Sequence, residues 1–219
     1  MIMADSLISH YALKHEMISP FVPPSRSRLE DAEKEEDKTK TASYGLSSAG
    51  YDIRLGRNFM FFRGEENKII NFTRNGQQEQ MMIPADPRAI IDPNDFDGRL
   101  VVQIDDVDSI IIPPKTFFMG VSHEYIKVPR NYKVSCDNKS TCARSGVIFC
   151  VTPLEPAWCG YITLEFYNSN DAMLRLVAGQ GISQLEFKQI NTEPTVAYDD
   201  RNGKYQGQGP HPIPPMQKA

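Results

Sequence analysis

The sequence predicts a mainly β protein of barrel or sandwich type, with one short helix at its N-terminus. Three observations carry that prediction. From about position 50 onward, short apolar runs alternate with Pro, Gly and Asn punctuation, as expected of short strands joined by turns. Helical spacing of apolar residues is confined to the first 18 positions. Between these regions, RSRLEDAEKEEDKTKTA at 26–42 is charged and almost free of large apolar side chains, so it has no face to bury.

The elements follow in order. DSLISHYALKHEMI at 5–18 sets Leu7, Ile8, Tyr11, Leu13 and Ile18 near helical spacing behind Asp5, a side chain suited to an N-cap. The charged stretch, at about 28–41, reads as an exposed insertion. The strands then run YDIRL, FMFF, KIINF, LVVQI, SIIIP, TFFMGVSHEYIKVP, YKVSC, GVIFCVTP, GYITLEFYN, MLRLVA and ISQLEFKQI. A C-terminal arm at about 197–219 follows, with a P-x-P-x-P-P tail at 210–215 that reads as extended. With 219 residues there is enough chain for one full core, and residues 1–219 read as a single domain.

Charge and composition exclude several functions. The formal net charge of −4 gives no basic footprint for duplex nucleic acid. No apolar run approaches the roughly 20 residues of a membrane span, and MIMADSLISH lacks the layout of a signal peptide, so the cytoplasm is the expected location. The four cysteines, Cys136, Cys142, Cys150 and Cys159, are separated by five, seven and eight residues, with no C-x-x-C knuckle. The four histidines, His10, His15, His123 and His211, are scattered and form no H-x-E of a zinc deaminase. Free thiols are expected in a reducing compartment, and zinc is not.

The chemistry-bearing residues concentrate in one stretch. KSTCAR at 139–144 offers two cations and two hydroxyls within six residues, a set suited to phosphate oxygens. An E-P turn follows, then GYITLEFYN. Its period of two separates Ile162, Leu164 and Phe166 from Tyr161, Thr163, Glu165 and Tyr167, so Glu165 leaves the apolar face. Asp52 in AGYDIRL is expected to be structural, sharing a strand face with Arg54 as an acidic and basic pair that ties the sheet together.

Together these residues resemble the dCTP deaminases of the dUTPase-like trimeric superfamily. The resemblance rests on SYGLSSAGYDIRL at 43–55, IIPPKTFFMG at 111–120, KST-x-AR at 139–144, VTPLEP-x-W-x-GYITLEFYNS at 151–169 and AYDDRNGKYQGQ at 197–208. It implies a distorted β-barrel or jelly-roll-like, dUTPase-type fold, with active sites between neighbouring subunits of a homotrimer. It further implies zinc-independent hydrolysis of dCTP to dUTP and ammonia. In these terms Glu165 is the general base, Ser140 helps position the attacking water and Arg144 organises the site. Lys139 and Thr141 hold the triphosphate, Glu155 lies near the deoxyribose, and Tyr198, Lys204 and Gln208 belong to an arm that closes over the nucleotide. Mg²⁺ is expected with the triphosphate, and dTTP is a candidate inhibitor.

Departures from the family pattern are local. Asp137-Asn138 stands where an apolar residue and a Gly are usual; if that Gly supplies a positive φ, Asn is the best replacement. Cys142, Ser145 and Cys159 also differ. Other functions compatible with the resemblance are a bifunctional enzyme that continues to dUMP and pyrophosphate, and a catalytically silent nucleotide-binding protein. Ala143 before Arg144, and a Glu at 155 in place of a shorter Asp, favour the single reaction. A plain dUTPase is disfavoured because TPLEPAW replaces its hydrolytic motif.

Overall fold

The computed structural model describes residues 1–23 and 42–215, so the charged stretch at about 28–41 lies outside the described residues. Among the described residues, helix α1 (Asp5–His15) is followed by fourteen strands, which form three antiparallel sheets. No sheet closes on itself among the described residues, so no closed barrel forms there. No helix among them is long and apolar enough to cross a membrane.

In α1, Ile8 and Ala12 are buried one turn apart, with Asp5 in the first turn and Lys14 and His15 in the last, complementing the helix dipole. Two expectations change here. The N-cap is Ala4, while Asp5 is already helical and its carboxylate accepts from Ser6 N at 2.7 Å. Leu13 faces solvent at 72% exposure, because the helix rests on the sheet by a narrow stripe.

The first sheet places β11 (Val147–Cys150), β12 (Cys159–Asn168), β9 (Phe117–Lys127), β4 (Phe59–Phe62) and β7 (Val101–Ile104) side by side, with β1 (Ile18–Ser19) against β9. The second orders β10 (Tyr132–Asn138), β14 (Gly181–Gln189), β3 (Gly50–Arg54) and β2 (Gly45–Ser47). The third orders β13 (Leu174–Val177), β8 (Ser109–Ile112), β5 (Lys68–Arg74) and β6 (Gln77–Ile83). Every strand expected from the sequence is present. The unexpected one of any length is β6, whose QQEQ start is too polar to signal a strand. It pairs with β5 through an Asn75-Gly76 turn with φ of 50° and 75°, the left-handed geometry that Asn-Gly favours. A helix of five residues, α2 (Ser140–Arg144), fills the KST-x-AR segment.

One core joins the sheets, centred on Phe59, Phe61, Phe118, Phe166 and Phe187, all buried. Stacked rings at 5.1–5.9 Å link Phe61, Phe118 and Phe166 across β4, β9 and β12. Behind this stack β12 is held rigidly, between β11 on one side and β9 on the other.

Two further expectations are corrected by the second sheet. Asp52 does not pair with Arg54. Arg54 instead donates its backbone N and its Nε, at 2.8 and 2.6 Å, to the fully buried carboxylate of Glu124, while Asp52 pairs with Lys139. Asn138 keeps a negative φ at the end of β10, so it replaces no left-handed glycine. Its Nδ2 instead donates to Val147 O at 2.8 Å, joining the entry and exit of the α2 segment.

Candidate active site

Strand β12 alternates without exception: Gly160, Ile162, Leu164, Phe166 and Asn168 are buried, while Cys159, Tyr161, Thr163, Glu165 and Tyr167 are half-buried on the other face. Glu165 therefore projects from a rigid strand into a cavity of about 460 Å³, a volume suited to a small ligand. It sits opposite Met119 of β9 and Cys150 of β11. Its Oε2 is buried and has no hydrogen-bond partner. Burial pushes the Glu165 carboxyl up to about 7 from the ordinary carboxylate range, opposed only by its own backbone N–H. A carboxyl poised near neutrality can both take and give a proton.

The remaining walls come from three regions. Phe117 and Met119 of β9 supply apolar surface, as does Trp158 from the turn before β12. Glu155 stands in that turn, at the rim, where Lys133 approaches at 3.4 Å and Arg201 at 3.8 Å. The third region is the C-terminal arm, which lies across the cavity of its own chain. Gln208 is 6% exposed and donates its Nε2 to Thr163 Oγ1, two residues before Glu165 on the same strand face. Tyr161 N donates to Gln208 O at 2.9 Å, and Trp158 Nε1 donates to Tyr205 O at 2.9 Å. Tyr198 also lines the cavity, and its hydroxyl accepts from Tyr205 N at 3.1 Å. Gly203 is required there: a Cβ would stand 2.1 Å from the Tyr198 ring. Lys204 follows, exposed and outside the cavity lining.

The other predicted site residues lie elsewhere. Lys139, Ser140, Thr141 and Arg144 do not border this cavity. Ser140, Thr141 and Arg144 are exposed on α2, with Thr141 at the edge of a separate, apolar cavity of about 120 Å³. Arg144 makes no ion pair among the described residues. One chain thus brings Glu165, Glu155, Tyr198 and Gln208 together and presents Ser140 and Arg144 at a second place. Sequence reasoning missed Thr163, though the alternation that exposes Glu165 also exposes Thr163; it missed Phe117 and Tyr205, for which only tertiary packing gives a signal.

Among the described residues no three His, Cys, Asp or Glu side chains come together to hold a metal ion. The cysteines are all free. Burial, with the charges of Asp137 and Glu165, pushes the Cys136 thiol up to about 12. Burial raises Cys142 as well.

The fold is shared with a solved enzyme structure. A crystal structure of 2′-deoxycytidine 5′-triphosphate deaminase from Agrobacterium tumefaciens superposes with a TM-score of 0.56 at 15% identity, over 86% of this chain and 48% of that one. Sequence comparison is more specific. A family model for dCTP deaminase-like proteins matches residues 100–190, which include α2, β12 and Glu165. The dCTP deaminase of Acidovorax sp. (strain JS42) is 38% identical over 94% of this chain and 95% of its own length. That of Herpetosiphon aurantiacus is 39% identical over the same shares. The chain belongs to the dCTP deaminase family.

Proposed function

We propose that this protein hydrolyses dCTP to dUTP and ammonia, with Glu165 as the proton carrier and without zinc. The observation that carries the reading is the buried, unpartnered Glu165 Oε2 at the wall of a cavity, with its carboxyl poised near 7. Family membership supports the substrate.

Deamination requires a water to add to C4 of cytosine. As the C4–O bond forms, the Glu165 carboxylate takes a proton from that water and delivers it to N3. It then takes the remaining proton of the new hydroxyl and gives it to the exocyclic nitrogen; the C4–N bond breaks, ammonia leaves and C4=O forms. Both protons of the water pass through one carboxylate, and no other acid or base is needed. Ser140 positions the water, and Arg144 limits how far burial raises the carboxyl.

Glu165 and Arg144 lie at separate places in one chain, so the reading requires neighbouring subunits, in line with a homotrimer. Glu165, Glu155, Tyr198 and Gln208 come from one subunit, and Ser140, Thr141 and Arg144 from the next. Lys204 and Thr141 face the triphosphate. Lys139 has two of its three donors engaged within the chain. A triphosphate binds Mg²⁺ through its own oxygens, so Mg²⁺ is expected to enter with the substrate as its metal complex. dTTP carries the same sugar and triphosphate and is expected to compete.

Mixing two dead variants tests the shared site. Glu165→Gln and Arg144→Ala chains, unfolded and refolded together in equal amounts, should regain about a quarter of wild-type activity, because one interface in four then has both native residues. No recovery, with trimers present, would place both groups in one subunit's site and sink the reading. Chromatography of the products should show dUTP and ammonia in equal amounts. dUMP formed at the rate of ammonia would favour the bifunctional reaction; against it stands Glu155, one methylene longer than the Asp of a dUTPase-like motif and so poorly placed to orient a second water.

A further inference from the structure

The α2 segment is tied down at its start by a largely buried ion pair within the chain. Lys139, the N-cap of α2, donates its ammonium to Asp52 of β3 and, at 3.3 Å, to Ser43 Oγ. The two side chains of the pair are only 12% and 11% exposed. The second oxygen of Asp52 accepts from Gln184 Nε2 at 3.1 Å. In the ladder Gln184 stands between Asp137 of β10 and Asp52 of β3, so Lys139 reaches back over β14 and brackets three strands. Gly181 admits the chain that brings Ser43 into range, since a Cβ there would stand 1.9 Å from Ser43 O. An exposed ion pair would matter little, but a desolvated one holds its partners in place, because breaking it strands a buried charge.

Two of the three ammonium donors of Lys139 are therefore spent within the chain, and its charge is matched by Asp52. One residue later begins the helix that carries Ser140 and, one turn on, Arg144. We propose that Asp52 is a positioning residue for the deamination, acting through Lys139: the buried pair sets the start of α2 and hence the placement of Ser140 and Arg144. Lys139 supplies that placement with the two donors it spends within the chain, which leaves one for the triphosphate. The inference rests on the reading of Ser140 and Arg144 given above.

Steady-state kinetics on Asp52→Asn, Lys139→Met and the double variant, with Arg144→Ala alongside, tests it. Each single change should lower kcat by about 10- to 100-fold, the scale expected when catalytic groups are misplaced by about 1 Å, while KM for dCTP moves less than about threefold. The double variant should be no worse than the poorer single one, because the two residues act as a unit. If Asp52→Asn does not assemble, the double variant decides alone, since it strands no buried charge and should fold with the same loss in kcat. A lower KM in Asp52→Asn with kcat retained would show Lys139 released to bind phosphate and would overturn the inference. So would additive losses, or a raised KM with normal kcat in the double variant. Wild-type activity in Arg144→Ala would instead show that the reading of α2 itself is wrong.

Discussion

The β12 wall and the α2 face treat charge in opposite ways. On β12 a carboxylate is drawn out of water by a rigid strand and left with a buried oxygen that bonds to nothing. On α2 a guanidinium is held out in solvent, also without an ion-pair partner among the described residues. Burial without a partner gives Glu165 its neutral poise but no control over it; exposure gives Arg144 a permanent charge with nothing to act on. Each surface lacks what the other has. If both groups serve one reaction, as proposed above, they can meet only between two subunits, and catalysis would then be conditional on assembly.

The most damaging break should be Glu165→Gln, which keeps the shape of the wall and removes the proton carrier. Turnover should fall by at least about 10²-fold, with dCTP binding retained in a calorimetric titration. The same variant has a second signature. The folded carboxyl is raised to about 7, so its contribution to stability is full at acid pH and is lost as pH rises through that value. Glu165→Gln should therefore match wild type near pH 4 and be more stable at about pH 8, by up to about 3 kcal/mol, in denaturant unfolding. Equal stability at both would mean that burial does not raise the Glu165 carboxyl in the assembled protein.

A sharper test asks whether the two surfaces meet. Activity should rise with pH as Glu165 loses its proton, giving kcat/KM an acid limb at or below about 7 in wild type. A guanidinium beside the carboxylate holds that limb down. In the residual activity of Arg144→Gln the limb should move up by about one pH unit or more. If it stays, Arg144 does not face Glu165.

The arm gives a smaller effect. In Gly203→Ala the new methyl displaces the Tyr198 ring and the hydrogen bond its hydroxyl accepts from Tyr205 N, loosening the arm over the cavity. KM for dCTP should rise about tenfold, the worth of one or two such contacts, while kcat changes less. An unchanged KM would detach the arm from nucleotide binding.

How far these surfaces could be read from sequence differs for a physical reason. The alternation of GYITLEFYN is local, and it alone takes Glu165 off the apolar face of its strand, as the burial pattern bears out. The strands were legible wherever apolar residues mark them; β6 was not, because QQEQ has no buried face to declare, although Asn75-Gly76 carries the turn signal. Asp52 was misassigned because its partner Lys139 is 87 residues away, and a pairing across three strands leaves no local pattern. Arg54, expected to be that partner, is claimed by Glu124, 70 residues distant.

The smallest effect on chemistry should come from the cysteines that crowd this region. Cys150 stands opposite Glu165 in the β11–β12 ladder, and Cys136 lies near enough for the Glu165 charge to raise its thiol. Proximity does not make them reagents. A thiol pushed up to about 12 stays protonated at neutral pH, and it is the thiolate that attacks carbon or binds zinc. Replacing all four cysteines, with Val at 136 to keep its packing volume and Ala elsewhere, should leave kcat within about twofold and change stability by on the order of 1 kcal/mol. Ser at 136 should be worse than Val, because it buries a hydroxyl among apolar groups. Metal analysis of the wild-type protein should find no stoichiometric zinc. Zinc at one per chain, lost together with activity in the cysteine-free variant, would mean that the proton carrier on β12 does not work alone and that the division of labour between β12 and α2 is incomplete.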